Sequence, residues 1–234
     1  MYLDMTYIVL VLPAVIFAVW ASSRVNSTFE KYSKQYNSRR ITGAQAARFV
    51  LDRSGCRDVR IERVSGNLTD HYDPKANVIR LSESVYDNYS SAAVGVACHE
   101  AGHAIQHVEN YAPIKIRAAI IPITSIGSKL AVPLILLGIV FSTMDAVWAN
   151  VAYLGIACFA LSTVFQLVTL PTEYNASKRA LRCIEDGNLL IGEELAGARK
   201  VLNAAALTYV AALAVSVMQL LRLILMVNRR TNRD

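Results

Sequence analysis

The feature that most constrains this chain is the uncharged apolar run from Val147 to Leu170. It contains 24 residues without a single Asp, Glu, Lys or Arg. An α-helix of that length exceeds the roughly 30 Å hydrocarbon core of a bilayer. Trp148 lies at one end of the run, where aromatic side chains favour the membrane interface. Since 54% of the 234 residues are hydrophobic, we interpret the chain as a membrane protein before considering any soluble fold.

Two other stretches predict membrane spans near the ends of the chain. Tyr7–Ser23 carries no charge and is just long enough to cross. A cleaved signal peptide needs a basic segment before its apolar core, whereas here the basic residues follow it, so we interpret residues 1–23 as an uncleaved transmembrane anchor. Ala204–Leu221 predicts a C-terminal transmembrane helix within residues 204–227, followed by a basic tail at 228–234.

The remaining apolar stretch, Ala118–Met144, is interrupted by Lys129 and Pro133. We expect the span to begin near Lys129, whose ammonium group can reach the headgroups. The preceding Ala118–Ser128 would then lie along the interface or line a cavity. Together with the run that follows it, this stretch predicts a transmembrane hairpin over residues 118–170.

Two polar segments, 24–117 and 171–203, separate the spans. The first is long enough for one small domain, and the second must face the same side if the spans between them pair as a hairpin. Between Arg24 and Arg117 there are 14 Lys and Arg against 10 Asp and Glu, which places this domain in the cytoplasm by the positive-inside rule. The net charge of +6, without interleaved aromatic residues, favours anionic lipid headgroups over nucleic acid as a partner.

The first polar segment has an α+β pattern. Thr42 can cap a helix that runs from Gly43 to about Ser54. Short apolar alternations then predict strands at 59–64, 68–72 and 78–81, separated by turn residues. We expect these strands to form a small antiparallel sheet.

A helix predicted from Ser90 to about Asn110 carries the sequence HEAGH. His99 and His103 are four residues apart, so both imidazoles project from one helix face and can bind a single Zn²⁺. Glu100 is offset by one residue and can act as a base toward water at the metal. The alternative is a chance arrangement on a core helix, but an apolar helix tolerates buried His and Glu poorly unless they have a partner.

A catalytic zinc site needs a third protein ligand. His107 is too far along a straight helix, because residues eight apart are separated by about 12 Å, and Gln106 stands where the longer form of the motif requires glycine. Glu173 is a candidate, since Pro171 suits a helix start that would present this glutamate in the first turn. A first-turn glutamate that favours the helix dipole is the alternative, and Asp70 or Asp73 remain possible ligands.

The segments HEAGHAIQH, LTDHYDP and EYNASKRAL, with a hydrophobic hairpin between the first and the last, resemble the neutral zinc metallopeptidases of the YugP type, which are small bacterial membrane proteins. More distantly the chain is similar to the HtpX and CAAX prenyl protease group. The resemblance implies that Glu173 is the third zinc ligand. The distant group has an acidic residue four positions after that glutamate, where this chain has Ser177, so a carboxylate that orients a zinc histidine is either absent or supplied by another residue.

His71 and Tyr72 are further candidate catalytic residues. Either side chain can donate a hydrogen bond to the oxyanion that forms when a peptide carbonyl is attacked. The alternative is ordinary turn chemistry beside a strand end.

These observations predict an α+β zincin-like peptidase domain within a multi-span α-helical membrane protein. We expect a zinc endopeptidase of the cell membrane that acts on membrane or unfolded proteins. One competing hypothesis is an intramembrane protease, although the apolar run from Ala92 to His103 is too short to cross. The other is a scaffold with structural zinc, in which Glu100 would have no role.

Overall fold

The computed structural model describes residues 5–142, 144–145 and 147–231. The start of the predicted anchor (1–4), residues 143 and 146 of the predicted hairpin and the end of the predicted tail (232–234) lie outside the described residues. The described elements are a π-helical turn at Tyr7–Val11, α1 (Leu12–Ser33), α2 (Gly43–Arg53), β1 (Arg60–Val64), β2 (His71–Asp73), β3 (Val78–Ser82), α3 (Ser91–Val108), α4 (Ala112–Phe141), α5 (Val147–Asp186) and α6 (Glu193–Thr231).

The chain divides into two compact units. The helical unit comprises Met1–Trp20, Ile116–Leu170 and Thr208–Asp234. The sheet-containing unit comprises Ala21–Lys115 and Pro171–Leu207.

Four helices in the described part of the chain are long and apolar enough to cross a membrane: Tyr7–Ser33, Ala112–Phe141, Val147–Asp186 and Glu193–Arg229. Only 17–22% of the apolar segment of each is buried within the protein, so most of the apolar surface faces outward, as lipid requires. Small residues bring α4 and α5 together in the helical unit. A Cβ added at Gly155 would lie 2.8 Å from the backbone nitrogen of Ile135, which is the close backbone approach typical of membrane helix pairs.

Two helices are more continuous than we expected. α5 runs for 40 residues with Pro171 inside it, so the prediction of a helix start at Pro171 is wrong. A proline inside a helix removes one backbone hydrogen bond. A long helix can still continue through the proline when the turns on both sides of it pack against other elements. α4 is likewise one helix through Lys129, and no turn separates Ala118–Ser128 from the residues that follow.

The α2 prediction is confirmed, because the Thr42 side chain accepts from the backbone N–H of Gln45 and the Gln45 side chain accepts from that of Thr42. The sheet differs from the prediction. Its strand order is β1-β3-β2, with β1 parallel and β2 antiparallel to β3. β3 is buried at four of its five positions and therefore takes the centre. β2 begins only at His71 because Leu68 has a φ of 55°, which turns the chain instead of extending it.

Helix α3 forms the centre of the sheet-containing unit. Fourteen of its 18 residues are buried, and the predicted cap residue Ser90 accepts from the backbone N–H of Ala93. A Cβ added at Gly102 would lie 2.7 Å from the carbonyl oxygen of Ala176 in α5. Glycine at this position therefore allows α3 and the C-terminal half of α5 to pack at backbone contact distance.

Candidate metal centre

Three side chains converge where α3 packs against α5. The Nε2 atoms of His99 and His103 lie 3.2 Å and 3.4 Å from one carboxylate oxygen of Glu173. One ligand atom from each of the three residues lies within 4.8 Å of the others. The two imidazole rings are nearly perpendicular, with centroids 4.7 Å apart, so the i, i+4 spacing on α3 directs both nitrogens to one point.

Glu173 is only 2% exposed, and its carboxylate lies against the two histidines. Its Oε2 atom is 3.2 Å from Nε2 of His99 and 3.4 Å from Nε2 of His103. A carboxylate this deeply buried needs such partners. The position in mid-helix also removes the alternative role of a first-turn glutamate that favours the helix dipole.

The donor set fits a zinc ion. Two neutral imidazoles and one carboxylate are a ligand combination found at catalytic zinc sites, which use three protein ligands and leave a further position for water. Both histidines present Nε2 to the shared point because each Nδ1 atom has its own partner. Such partners fix the tautomer and the ring orientation of metal-binding histidines.

The partners of the two Nδ1 atoms are uncharged. The Nδ1 atom of His99 lies 3.1 Å from the Ser177 hydroxyl oxygen. The Nδ1 atom of His103 lies 3.0 Å from the side-chain oxygen of Gln106. Among these contacts His99 is oriented by a serine hydroxyl and His103 by a glutamine amide oxygen.

Sequence reasoning missed the role of Gln106. Its side chain is fully buried, and its amide nitrogen donates to the carbonyl oxygen of Thr172 at 2.8 Å and to the side-chain oxygen of Asn175 at 2.9 Å. One glutamine therefore joins a histidine of α3 to the turn of α5 that carries Glu173. The signal available in the sequence was a polar residue three positions after His103, on the same face of an otherwise apolar helix.

Glu100 lies beside this group and is 9% exposed. Its Oε2 atom accepts a hydrogen bond of 2.9 Å from the backbone N–H of Tyr72, the second residue of β2. The sheet edge therefore holds the predicted base in a defined orientation.

The side chains of the other two predicted catalytic residues make different contacts. The Tyr72 hydroxyl donates to the side-chain oxygen of Asn77 at 3.1 Å, and its ring packs against His107 with centroids 5.4 Å apart. His71 is exposed, and its Nδ1 atom lies 2.8 Å from the carbonyl oxygen of Thr69. The structure thus brings the Tyr72 backbone to Glu100, whereas the His71 ring contacts its own loop.

The two aspartates considered as alternative ligands are engaged elsewhere. Asp70 accepts from the backbone N–H of Ser82 at 2.7 Å and from its hydroxyl at 2.9 Å. Asp73 accepts from Arg80 at 2.8 Å, and this guanidinium lowers the pKa of Asp73 to about 2. Both carboxylates hold β2 to β3 and the adjoining turn.

Comparison with known proteins places this geometry in a family. Residues 7–228 match the sequence profile of the family described as "Putative neutral zinc metallopeptidase". The chain belongs to this family. The resemblance inferred from the three sequence segments is thereby confirmed.

Among curated proteins, this zinc metallopeptidase family member is similar to the "Putative membrane protease YugP" of Bacillus subtilis (strain 168). The two are 45% identical over 221 residues, which cover 94% of this chain and 96% of the relative. No solved structure gave a significant match to the chain.

Proposed function

We propose that this protein is a membrane-embedded zinc metalloendopeptidase in which His99, His103 and Glu173 bind the metal and Glu100 is the catalytic base. The observation that carries the proposal is the convergence of the three ligand atoms within 4.8 Å, on the helix that also presents Glu100. Membership in the family and the match to a membrane protease support it.

The chemistry follows from the residues around this point. Bound zinc supplies a Lewis acid that lowers the pKa of water toward about 7 and polarises a peptide carbonyl. Glu100 removes a proton from the attacking water and transfers it to the nitrogen of the departing amine as the C–N bond breaks. The Tyr72 N–H fixes Oε2 of Glu100, so we assign the proton transfer to Oε1.

Tyr72 therefore acts as a positioning residue through its backbone. The expectation that the side chains of His71 and Tyr72 stabilise the oxyanion stays a prediction. Their polar atoms contact Thr69 and Asn77, and both contacts would have to open before either side chain could reach a substrate carbonyl.

We further propose that the substrates are membrane or unfolded proteins, because Glu173 follows the apolar run of α5 by three residues. The excess of Lys and Arg in 24–117 supports a cytoplasmic active site in a bacterial cell membrane. A zincin-like arrangement, with 24–117 and 171–203 forming one catalytic domain, is part of the same proposal. The intramembrane alternative has less support, since α3 is not among the four candidate spans in the described part of the chain.

The test is cleavage of casein by the purified full-length protein in detergent, with and without a chelator and after addition of zinc. Glu100→Gln should retain one zinc per chain and lose activity by about 10²–10⁴-fold, because the amide cannot accept the proton. Glu83→Gln is the matched control, since Glu83 is exposed and lies outside the metal group. Near-normal turnover of a zinc-loaded Glu100→Gln variant would remove Glu100 from the role of base. Stoichiometric zinc without wild-type cleavage of casein or membrane proteins would favour a structural metal.

A further inference from the structure

A pocket of about 570 Å³ lies between α1 and α6 in the sheet-containing unit. Three of the nine residues that line it are cationic, and none of the nine is Asp or Glu. The lining residues are Arg24, Ser27, Thr28, Lys31, Tyr32, Lys200, Asn203, Ala204 and Leu207. The pocket is separate from the metal centre, because it shares no residue with the ligands or their hydrogen-bond partners.

The packing of α6 on α1 explains why the cations gather there. A Cβ added at Gly197 would lie 2.8 Å from the Tyr32 ring, so glycine lets α6 approach this side chain closely. Lys200 follows by one helical turn and emerges on the same face. Its Nζ atom lies 5.7 Å from the Tyr32 ring centroid, and that of Lys31 lies 5.5 Å from it. Two ammonium groups are therefore held around one aromatic ring.

This clustering favours an anionic ligand. Like charges held close together repel each other, and an anion that contacts them relieves the repulsion. The Arg24 guanidinium can bind phosphate oxygens through two parallel hydrogen bonds, lysine ammonium groups bind them as point charges, and the Thr28 hydroxyl is a further donor.

The shape and position of the pocket favour a lipid over a free ion. Its volume is within the range of pockets for whole small molecules and exceeds what one phosphate group fills. Ala204 and Leu207 supply an apolar wall beside the cations. Arg24 directly follows the apolar run Tyr7–Ser23, and Ala204 begins the apolar run of α6. The pocket therefore begins where the apolar run of α1 ends and reaches the start of the apolar run of α6, which is the depth of lipid headgroups.

We propose that this pocket binds the phosphate of an anionic phospholipid headgroup, with Lys31 and Lys200 as the main contacts and Ala204 and Leu207 against the start of the acyl chains. Lysines near anionic lipid contribute roughly fivefold each to affinity. Replacing both by glutamine should weaken binding by about 25-fold.

The experiment titrates the full-length protein, in a neutral detergent, with dihexanoyl phosphatidylglycerol and follows thermal unfolding to obtain a dissociation constant. Dihexanoyl phosphatidylcholine and inorganic phosphate are titrated in parallel. Lys31→Gln/Lys200→Gln should lose about 25-fold in affinity for the anionic lipid. The control Lys34→Gln/Arg199→Gln removes the same charge outside the pocket, from the residue that follows α1 and from α6. It should change affinity by no more than about threefold, as expected for screened surface charges.

Equal losses in the two double variants would overturn the proposal, because the attraction would then be nonspecific. Unchanged affinity in Lys31→Gln/Lys200→Gln would also overturn it. Inorganic phosphate that binds as tightly as the lipid would show that the pocket takes the free ion, which contradicts the assignment to lipid. Zinc content serves as the check on folding, and the single variant Lys200→Gln, expected to lose about fivefold, replaces the double variant if that variant fails to fold.

Discussion

Replacing Gln106 by methionine tests whether the uncharged partner of His103 holds the metal centre together. Methionine has a similar length and no hydrogen-bonding amide, so it fills the buried space while removing three polar contacts. These are the contacts to His103 Nδ1 at 3.0 Å, to the Thr172 carbonyl at 2.8 Å and to the Asn175 side chain at 2.9 Å.

The three losses are unequal. Asn175 retains a hydrogen bond of 2.7 Å from Arg179, and the Thr172 carbonyl lies within a continuous helix. His103 is 9% exposed, and its Nδ1 atom loses the partner that fixes the ring. A buried polar group without its partner costs about 1–3 kcal/mol, which we expect as a loss in the free energy of unfolding of the metal-free protein. Removal of such a partner at a metal-binding histidine typically weakens metal affinity by about 10–100-fold.

The assay is competition for zinc against a chromophoric chelator, combined with thermal unfolding in the presence of EDTA. Gln45→Ala is the matched control, because Gln45 belongs to the capping box of α2. Loss of its side-chain contact to the N-cap backbone should lower stability without changing zinc affinity. Gln106→Glu retains an acceptor for His103 but turns a carboxylate oxygen toward two other oxygens, so it should also lose stability.

An intact Gln106→Met protein with wild-type zinc affinity would refute the reasoning. In that case the orientation of His103 would be set by helix packing alone. Equal loss of zinc affinity in Gln45→Ala and Gln106→Met would mean that zinc binding follows overall stability and not the hydrogen bond.

Three further predictions concern the third ligand, the contact of α3 with α5 and the membrane topology. Glu173→Ala should abolish tight zinc binding at neutral pH with membrane insertion intact, whereas Asp70→Ala should bind zinc almost normally because its carboxylate contacts Ser82; full zinc and activity in the Glu173 variant would place the third ligand elsewhere. Gly102→Ala should separate α3 from α5, since its Cβ would meet a backbone oxygen at 2.7 Å, and should weaken zinc binding measurably in chelator competition; wild-type affinity would show that the helices can yield. Asn67→Cys, in a background without the four native cysteines, should react with a membrane-impermeant thiol reagent only after the cells are permeabilised. Labelling in intact cells would show that the domain faces the outside, which contradicts the predicted topology.

Helices α2 and α3 could be predicted because local signals agree with tertiary packing there. The Thr42 capping box and the Ser90 cap mark the starts of α2 and α3, and the i, i+4 spacing of the histidines fixes their common face. These signals involve residues within one or two helical turns of each other, so they can be recognised in a single sequence.

The features that could not be predicted depend on contacts between distant segments. The parallel pairing of β1 with β3 depends on which strand becomes buried at the centre of the sheet. The alternation of apolar residues along one strand does not determine which strand pairs with it. Proline normally favours a helix boundary, yet Pro171 lies within α5. The pairing of Ser177 with His99 spans 78 positions and leaves no local pattern. In each case packing overrides the local preference.

The candidate ligands come from helices that are far apart along the chain, and this order has a consequence for the timing of synthesis. His99 and His103 lie in α3, whereas Glu173 follows only after α4 and most of α5. At about 5–20 residues per second, a ribosome needs roughly 4–14 s to add the intervening residues. On the proposed ligand set, the nascent chain has no complete metal centre during that interval, so the emerging protease is inert toward itself and its neighbours until both apolar helices between the ligands have been made.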